Sequence, residues 1–374
     1  MESKPDKTNH YRPLKEPVTI IDQEWPVGTL PLVYIRTLTY MHENFIRECI
    51  EGILMQKTTF PVRVLIHDDA STDKTPEIVR EYEMKYPNLI KAYFQTTNSY
   101  SQENIENRRR LMTPFNEMCI GKYCALCEGD DYWTDPLKLQ KQVTFLENNP
   151  EYGLVHGDCH KFYDEDGLWV YNVNKHKINK KVITTKEELF YAIINMDYTV
   201  FTATVIYRHE LLGLMDKNSK VFPMGDSPKW LVFSQHTRFK YMDEVFAVYR
   251  ILNNSLSRSS DLKQHFRFIL AMMEMRIYYC EVIGYDIKTK LKKNYNSALL
   301  RYLLLDPAFM PEHEMMDPTI WQRYKYKLIR IPILNWFLAS IFVVKFRLKK
   351  FIKKKLSAIG ILSLHEFLGI SNFK

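Results

Sequence analysis

Twice in this chain an apolar run breaks abruptly into clustered carboxylates. Val62-Arg-Val-Leu-Ile-His67 runs straight into Asp68-Asp69, and Gly121-Lys-Tyr-Cys-Ala-Leu-Cys127 runs into Glu128-Gly-Asp130-Asp131. Short apolar runs bounded by turn residues read as buried strands. In open α/β sheets, ligands bind beyond the carboxyl ends of the strands, near the switch in strand order. Carboxylates placed there suit Mg2+ or Mn2+, hard cations that neutralise a pyrophosphate. One acidic turn after a strand is commonplace. Two, with strand–helix units between them, point to an α/β sheet with a nucleotide or metal at its carboxyl edge.

The surrounding pattern agrees. Leu32 to Thr39 reads as a first strand, and Ile90 to Gln95 as the one between the two acidic runs. Asn44 to Gln56 carries Phe45, Cys49, Ile53 and Gln56 at helical spacing, beside Ile46, Ile50 and Leu54. Thr75 followed by Pro76 predicts a capped helix to about Lys85, and Asp135-Pro136 opens another to about Asn148. Strands alternating with helices predict a mainly parallel twisted sheet covered on both faces. Asp164 to Gly167 is a hairpin-like turn, Thr185 caps a helix through Asn195, and Thr199 to Tyr207 reads as a strand. After about Leu256 the pattern is helical only, over Leu262–Ile283 and Lys288–Leu305. The expected divisions are a polar lead-in over 1–30, a catalytic domain over 31–258, a helical extension over 259–317 and a basic tail over 318–374.

Charge and cysteine exclude other classes. The net charge of +8 gathers at one end: from Pro318 to Lys374 there are 12 Lys and Arg against one acid, Glu366. A nucleic-acid binder carries its surplus on the folded domain, so no nucleic-acid partner is expected. Six cysteines scattered through 374 residues make no disulfide framework. Cys124 and Cys127, three apart on a strand, point to opposite faces and cannot share a zinc ion. Met1 to Pro17 has no apolar core of a secretory signal, and the expected location is cytoplasmic.

The acidic turns also carry a resemblance. Thr39-Tyr40 ending the first strand, Ile66-His-Asp-Asp-Ala-Ser-Thr-Asp73, Gly121-Lys-Tyr-Cys-Ala-Leu-Cys-Glu-Gly-Asp-Asp-Tyr-Trp133 and Asp135-Pro-Leu-Lys-Leu-Gln-Lys-Gln-Val-Thr-Phe-Leu146 match, with Gly225-Asp226, Trp230, Val248-Tyr-Arg250 and Ser255 downstream. Over about residues 31–258 the chain resembles the family 2 glycosyltransferases, which implies a GT-A-like nucleotide-sugar-binding domain and inverting sugar transfer. The resemblance implies that Asp69 accepts from the base, usually uracil, while Thr39 and Tyr40 pack beside base and ribose. It assigns Asp130 and Asp131 to ribose and metal, with Asp131 in direct metal contact, and Asp226 as general base. Glu128 stands where the family's first acid of the DxD-like motif is Asp, and Met41 where Asn is frequent.

Several positions admit two readings. Asp226 before Ser227-Pro-Lys-Trp is also a good helix N-cap. Trp230, one turn on, either floors the acceptor site or packs in a core, and Tyr132 and Trp133 either stack on sugar or pack. Arg250 neutralises a phosphate or sits in a surface ion pair. Arg108-Arg-Arg110 is a phosphate contact or, more simply, a solvated basic turn. In the tail, Ile331 to Val344 is uncharged but shorter than the roughly 20 apolar residues that span a bilayer. Lys345, Arg347, Lys349, Lys350 and Lys353 to Lys355 follow, interleaved with Phe346, Leu348, Phe351 and Ile352. That pattern fits an in-plane helix on the anionic inner face of the cell membrane, or a core-packing helix with a solvated face.

The expected activity is metal-dependent transfer from a nucleotide sugar, UDP-sugar favoured, to a saccharide or lipid-linked acceptor. The alternative is an inactive sugar-nucleotide-binding or membrane assembly subunit. A nucleotidyltransferase is less apt, because Thr39-Tyr-Met-His-Glu43 lacks a glycine-rich phosphate loop.

Overall fold

The computed structural model describes residues 11–102, 104–178, 183–216, 220–252, 259, 261–311 and 313–358. They divide between two units, residues 1–253 and 254–374.

The first unit starts with β1 (Val18–Thr19), β2 (Val33–Thr39), α1 (Ile46–Leu54), β3 (Lys57–Thr58), β4 (Val62–Asp68), α2 (Thr75–Lys85) and β5 (Ile90–Phe94). It continues with α3 (Ile105–Glu117), β6 (Tyr123–Leu126), β7 (Tyr132–Trp133), α4 (Lys138–Asn148), β8 (Tyr152–Tyr163) and β9 (Leu168–Val170). After α5 (Lys175–Ile178) come α6 (Lys186–Ile194), β10 (Ile206–Arg208), α7 (Ser227–Phe233) and β11 (Arg238–Ile251). Nine strands form one sheet in the order β5-β4-β2-β6-β10-β8-β11-β7, with β9 beside β8.

From β5 to β6 the sheet is parallel, as the strand–helix alternation predicts. Beyond β6 it is mixed: β10 runs antiparallel to both neighbours, β8 and β11 are parallel, and β7 is antiparallel to β11. The physical difference is the connection. Parallel neighbours need a crossover helix, whereas a tight turn such as the one at Gly167, with φ +61°, returns β9 along β8 antiparallel.

The strand expected over Thr199–Tyr207 is largely a 3-10 turn at Thr202–Thr204, with β10 reduced to Ile206–Arg208. Arg108 to Arg110 lie on α3, capped by Asn104, and not in a turn. Thr75 is not the cap of α2. Asp73 Oδ1 accepts the Thr75 N–H at 2.9 Å, and Thr75 Oγ1 accepts from His42 N at 2.8 Å.

Alternation along the central strands splits the core between two faces. Val33, Ile35, Val64 and Ile66 pack with Ile46, Ile50, Val79, Leu139 and Val143. Tyr34, Leu65, Cys124 and Leu126 pack with Phe115, Leu189, Trp230 and Phe233 on the other side. Cys127 belongs to the first face and lies 3.7 Å from Cys49 Sγ, so the two thiols of the Cys124–Cys127 pair do point apart. Cutting one of these fully buried aliphatics to alanine costs about 2–5 kcal/mol.

The second unit is helical: α8 (Leu262–Ile283), α9 (Thr289–Leu305), α10 (Ile320–Ile329) and α11 (Pro332–Ala358). Asp261 caps α8 and left-handed Gly284 ends it, while Thr319 and Gln322 form a capping box on α10. Phe342 and Phe346 of α11 meet Phe266 of α8 at 5.2 and 5.4 Å. The expected divide at residue 317 therefore falls within this unit.

Candidate active site

Register brings the first acidic turn to the first strand end. Thr39 lies opposite Asp68 in the β2–β4 ladder, and Asp69 N donates to Thr39 O at 2.9 Å. The two loops that follow are stitched to each other. Glu43 N donates to Asp73 Oδ2, Lys74 N to Glu43 Oε2, and Met41 N to Ser71 Oγ. Met41 holds φ +58°, a left-handed conformation that Asn tolerates better than Met. Thr39 is 2% exposed, whereas Tyr40 stands 48% exposed at the rim.

Asp69 is held from above by the segment after β5. Ser99 N donates to Asp69 Oδ1 at 2.7 Å and Tyr100 N to Oδ2 at 3.1 Å. Tyr100 OH then reaches Pro223 O at 2.5 Å, and Arg108 donates to Tyr100 O. This strap joins the Asp69 carboxylate to the loop that leads into Asp226.

The second acidic turn rests on the first. Gly129 N donates to Leu38 O at 2.9 Å, and a Cβ on Gly129 would stand 2.7 Å from Thr39 Oγ1 and 2.8 Å from His42 Nδ1. Glycine is needed for this close approach. Asp130 faces the cleft, half-buried. Asp131, expected to touch a metal directly, points inward instead: it is 1% exposed, and Oδ1 accepts the Arg250 N–H at 2.8 Å. Its Oδ2 is buried and accepts no hydrogen bond. Arg250 is also engaged by protein, its Nε donating to Asp130 O at 2.9 Å and its fork pairing with Glu48 and Asp164.

Asp226 serves both readings of its position. It caps α7, taking the Ser227 N–H on Oδ1 at 2.6 Å, while Oδ2 accepts from Thr202 Oγ1 at 2.8 Å. Desolvation, then the charge of Asp130 and further that of Asp226, push Glu128 up to about 7, against the pull of Arg36 and Lys229. The charges of Asp130 and Asp226 thus both bear on Glu128. Burial holds His42 below its usual range, while Asp130, Asp73 and Asp68 pull the other way.

Trp133 and Trp230 do not line this cleft. Trp133 is 1% exposed, donates Nε1–H to Ala203 O at 2.7 Å and carries Lys138 Nζ 4.2 Å from its ring. Trp230 is 2% exposed and packs against Tyr207 and Phe233. Rings without a free face cannot stack on a sugar. Arg36, His42, Tyr100, Thr202 and Lys229 were not singled out from the sequence. Only Arg36, a charge amid a buried strand, carried a local signal. A cavity lined by Tyr11, Leu30, Lys122 and Glu147 lies at the amino-terminal edge of β2 and β6, away from the acidic turns.

Among the described residues, no three His, Cys, Asp or Glu side chains converge as a self-sufficient metal site. The hard oxygen set of Asp130 and Glu128 still fits Mg2+ or Mn2+, which proteins commonly hold through one or two carboxylates together with substrate phosphates.

Residues 35–212 match the model of "Glycosyl transferase family 2". An uncharacterized protein of Mycobacterium tuberculosis is 44% identical over 133 residues, 36% of this chain and 36% of that protein, so the match spans about a third of the relative's length. The putative teichuronic acid biosynthesis glycosyltransferase TuaG of Bacillus subtilis is 26% identical over 229 residues, 61% of this chain and 82% of TuaG. The solved mannosyltransferase PcManGT from Pyrobaculum calidifontis, in complex with GDP-Man and Mn2+, is 16% identical with a TM-score of 0.49, covering 91% of this chain and 88% of that one. Residues 35–212, which carry both acidic turns, are thus a domain of the glycosyltransferase family 2 type with a GT-A-like fold.

Proposed function

We propose that this chain transfers a sugar from a nucleoside-diphosphate donor, UDP-sugar favoured, to a hydroxyl of a saccharide or lipid-linked acceptor, with inversion. The observation that carries this reading is the stacking of the turn Glu128–Asp131 on the carboxyl end of β2, through Gly129 N to Leu38 O, beside Asp69, which the Ser99–Tyr100 strap links to the loop before Asp226.

The roles follow from position. Asp69, with Thr39 and Tyr40 beside it, reads the base and ribose once the Ser99–Tyr100 strap releases its carboxylate. Asp130 would hold a divalent cation, and Glu128 lies behind it toward the sugar. Bound there, Mn2+ or Mg2+ supplies charge neutralisation for the departing diphosphate. Asp226, fixed by Thr202 and Ser227, takes the proton from the acceptor hydroxyl as that oxygen attacks the anomeric carbon from the face opposite the leaving group. Asp131 and Arg250 position the acidic turn and touch neither substrate.

The tail reading rests on α11. Phe342 and Phe346 pack inward, while Leu334, Ile341, Val344 and Leu348 are exposed along the opposite stripe. Lys345 and Arg347 flank that stripe, and five more lysines follow by residue 355. Among the described residues no helix is long and apolar enough to cross a membrane. We read α11 as lying on the anionic inner face of the cell membrane, where a lipid-linked acceptor is presented.

A thermal-shift screen against UDP, GDP, CDP and dTDP, with and without Mn2+, tests the transferase reading. One nucleotide should raise the melting midpoint in a Mn2+-dependent way, and Asp130→Asn should abolish the metal dependence. No response to any of them would leave an inactive assembly subunit as the better account.

A further inference from the structure

Asp226 Oδ2 accepts the Thr202 hydroxyl at 2.8 Å, and Thr202 opens the 3-10 turn Thr202–Thr204. That turn is held by buried side chains. Trp133 Nε1–H donates to Ala203 O at 2.7 Å, and Gln142 Nε2–H donates to Thr204 O at 2.8 Å. Two successive carbonyls are therefore gripped by side chains 70 and 62 positions away in the chain. The next carbonyl, Val205 O, takes the Leu126 N–H at the end of β6.

Lys138 joins the two side-chain donors. Its Nζ lies 4.2 Å from the centre of the Trp133 ring and donates to Gln142 Oε1 at 2.9 Å. That bond turns the amide oxygen toward Lys138 and leaves the NH2 group for Thr204 O. Trp133, Lys138 and Gln142 are all buried. Burial pushes Lys138 down to about 7, with Cys127, Asp135 and Cys124 pulling the other way, so a lysine is a costly way to fill this core. What it supplies is orientation, because it fixes one amide and one indole against the same turn.

The cluster bridges the proposed site. Trp133 ends β7, which leaves the second acidic turn directly after Asp131. A short path thus runs from the turn carrying Asp130 to Trp133, through Ala203 O to Thr202, and through the Thr202 hydroxyl to Asp226. Transfer requires the cation-holding carboxylate and the base to stand at a set separation about the attacked carbon, and a misplacement of about 1 Å can cost about 10²-fold.

We propose that Trp133 and Gln142, with Lys138 between them, are positioning residues for the transfer, holding the Thr202–Thr204 turn so that Thr202 keeps Asp226 aimed at the acceptor hydroxyl. This rests on the transferase reading above and on Asp226 as its base. All three lie behind the cleft and touch no substrate.

A double-mutant cycle on kcat tests it. Turnover of the full chain is read as free nucleoside diphosphate released from UDP-glucose, UDP-N-acetylglucosamine or GDP-mannose in Mn2+, with water as acceptor. Trp133→Phe keeps an aromatic ring and removes the N–H. It should lower kcat about tenfold or more, with affinity for the nucleoside diphosphate unchanged, which also reports intact folding. Gln142→Met should do the same from the other carbonyl, and Thr202→Val should lower kcat as much. In a Thr202→Val background neither substitution should cost anything further, whereas Thr202→Ser, which keeps the hydroxyl, should leave their full effect. Losses that multiply in the Thr202→Val background, or unchanged kcat in Trp133→Phe and Gln142→Met, overturn the positioning role alone. Loss of nucleotide binding in both variants overturns it too, because the cluster then holds the fold and not the base. Retained turnover in Asp226→Asn, or release from none of the donors by the unaltered protein, overturns the transferase reading along with it.

Discussion

The backbone N–H of Arg250 donates to Asp131 Oδ1 at 2.8 Å, tying the end of β11 to the acidic turn 119 positions earlier in the chain. The same arginine turns its side chain back onto that turn. Nε donates to Asp130 O, and the guanidinium lies 4.7, 5.6 and 5.7 Å from the rings of Phe45, Tyr132 and Phe162. Arg250 is thus a clamp on the motif that faces the cleft.

Arg250→Lys should act as a loss, since an ammonium cannot reproduce a fork that bonds Asp130 O, Glu48 and Asp164 at once. Because Glu48 and Asp164 keep partial contact with water, the destabilisation should be modest, about 1–3 kcal/mol. Urea denaturation reads this directly. An unchanged midpoint would show that the side chain does not clamp the turn.

Gly129→Ala puts a methyl 2.7 Å from Thr39 Oγ1 and 2.8 Å from His42 Nδ1. The turn must move, carrying Glu128 and Asp130 with it. Nucleotide affinity should fall about tenfold or more, some 1.4 kcal/mol, with the circular dichroism spectrum preserved. Full affinity in this variant would mean that the turn does not contact the donor.

Asp226→Asn keeps an acceptor for the Ser227 N–H, so the α7 cap and the melting temperature should survive. Transfer should not: a missing general base lowers kcat by about 10²–10⁴, with donor affinity unchanged. Donor binding measured beside turnover separates the two effects. Retained turnover would remove Asp226 from the chemistry.

His156 is fully buried, bonded through Nε2 to Tyr198 OH at 2.7 Å, and burial pushes its pKa down to about 3 from 6.5. The unfolded chain takes up a proton below pH 6.5 that the folded chain refuses. The stability contribution is therefore complete above pH 6.5 and drains away toward pH 3, by about 1.4 kcal/mol per pH unit. Urea midpoints at pH 7.5 and 4.5 should diverge less in His156→Gln than in the unaltered protein. Identical divergence would assign the acid sensitivity to other groups.

The exposed stripe of α11 should bind vesicles containing anionic lipid and ignore neutral ones, and rising salt should weaken the attachment. Replacing Leu334, Ile341 and Val344 together by serine should abolish cosedimentation without altering nucleotide binding. A protein that ignores anionic vesicles leaves α11 as a packing helix only.

Local sequence determined much of this protein. Apolar runs ending in Asp68-Asp69 and Glu128-Gly-Asp130-Asp131 specified parallel strands with carboxylates at their ends, because strand burial and turn polarity are local properties. The capped helix after Thr185, the opposite facing of Cys124 and Cys127, and the helical region after residue 258 were legible for the same reason.

Tertiary structure alone decided which carboxylate faces the cleft. Asp130 and Asp131 are adjacent and chemically identical, yet Arg250 N–H, 119 residues distant, takes one of them inward. Trp133 and Trp230 have no local mark that distinguishes a stacking platform from core packing, and only contacts with Ala203 O, Tyr207 and Phe233 settle it. Thr202 braces Asp226 across 24 residues, and β10 crosses antiparallel into an otherwise parallel neighbourhood. Those pairings come from register and packing between distant segments, which no local window of residues contains.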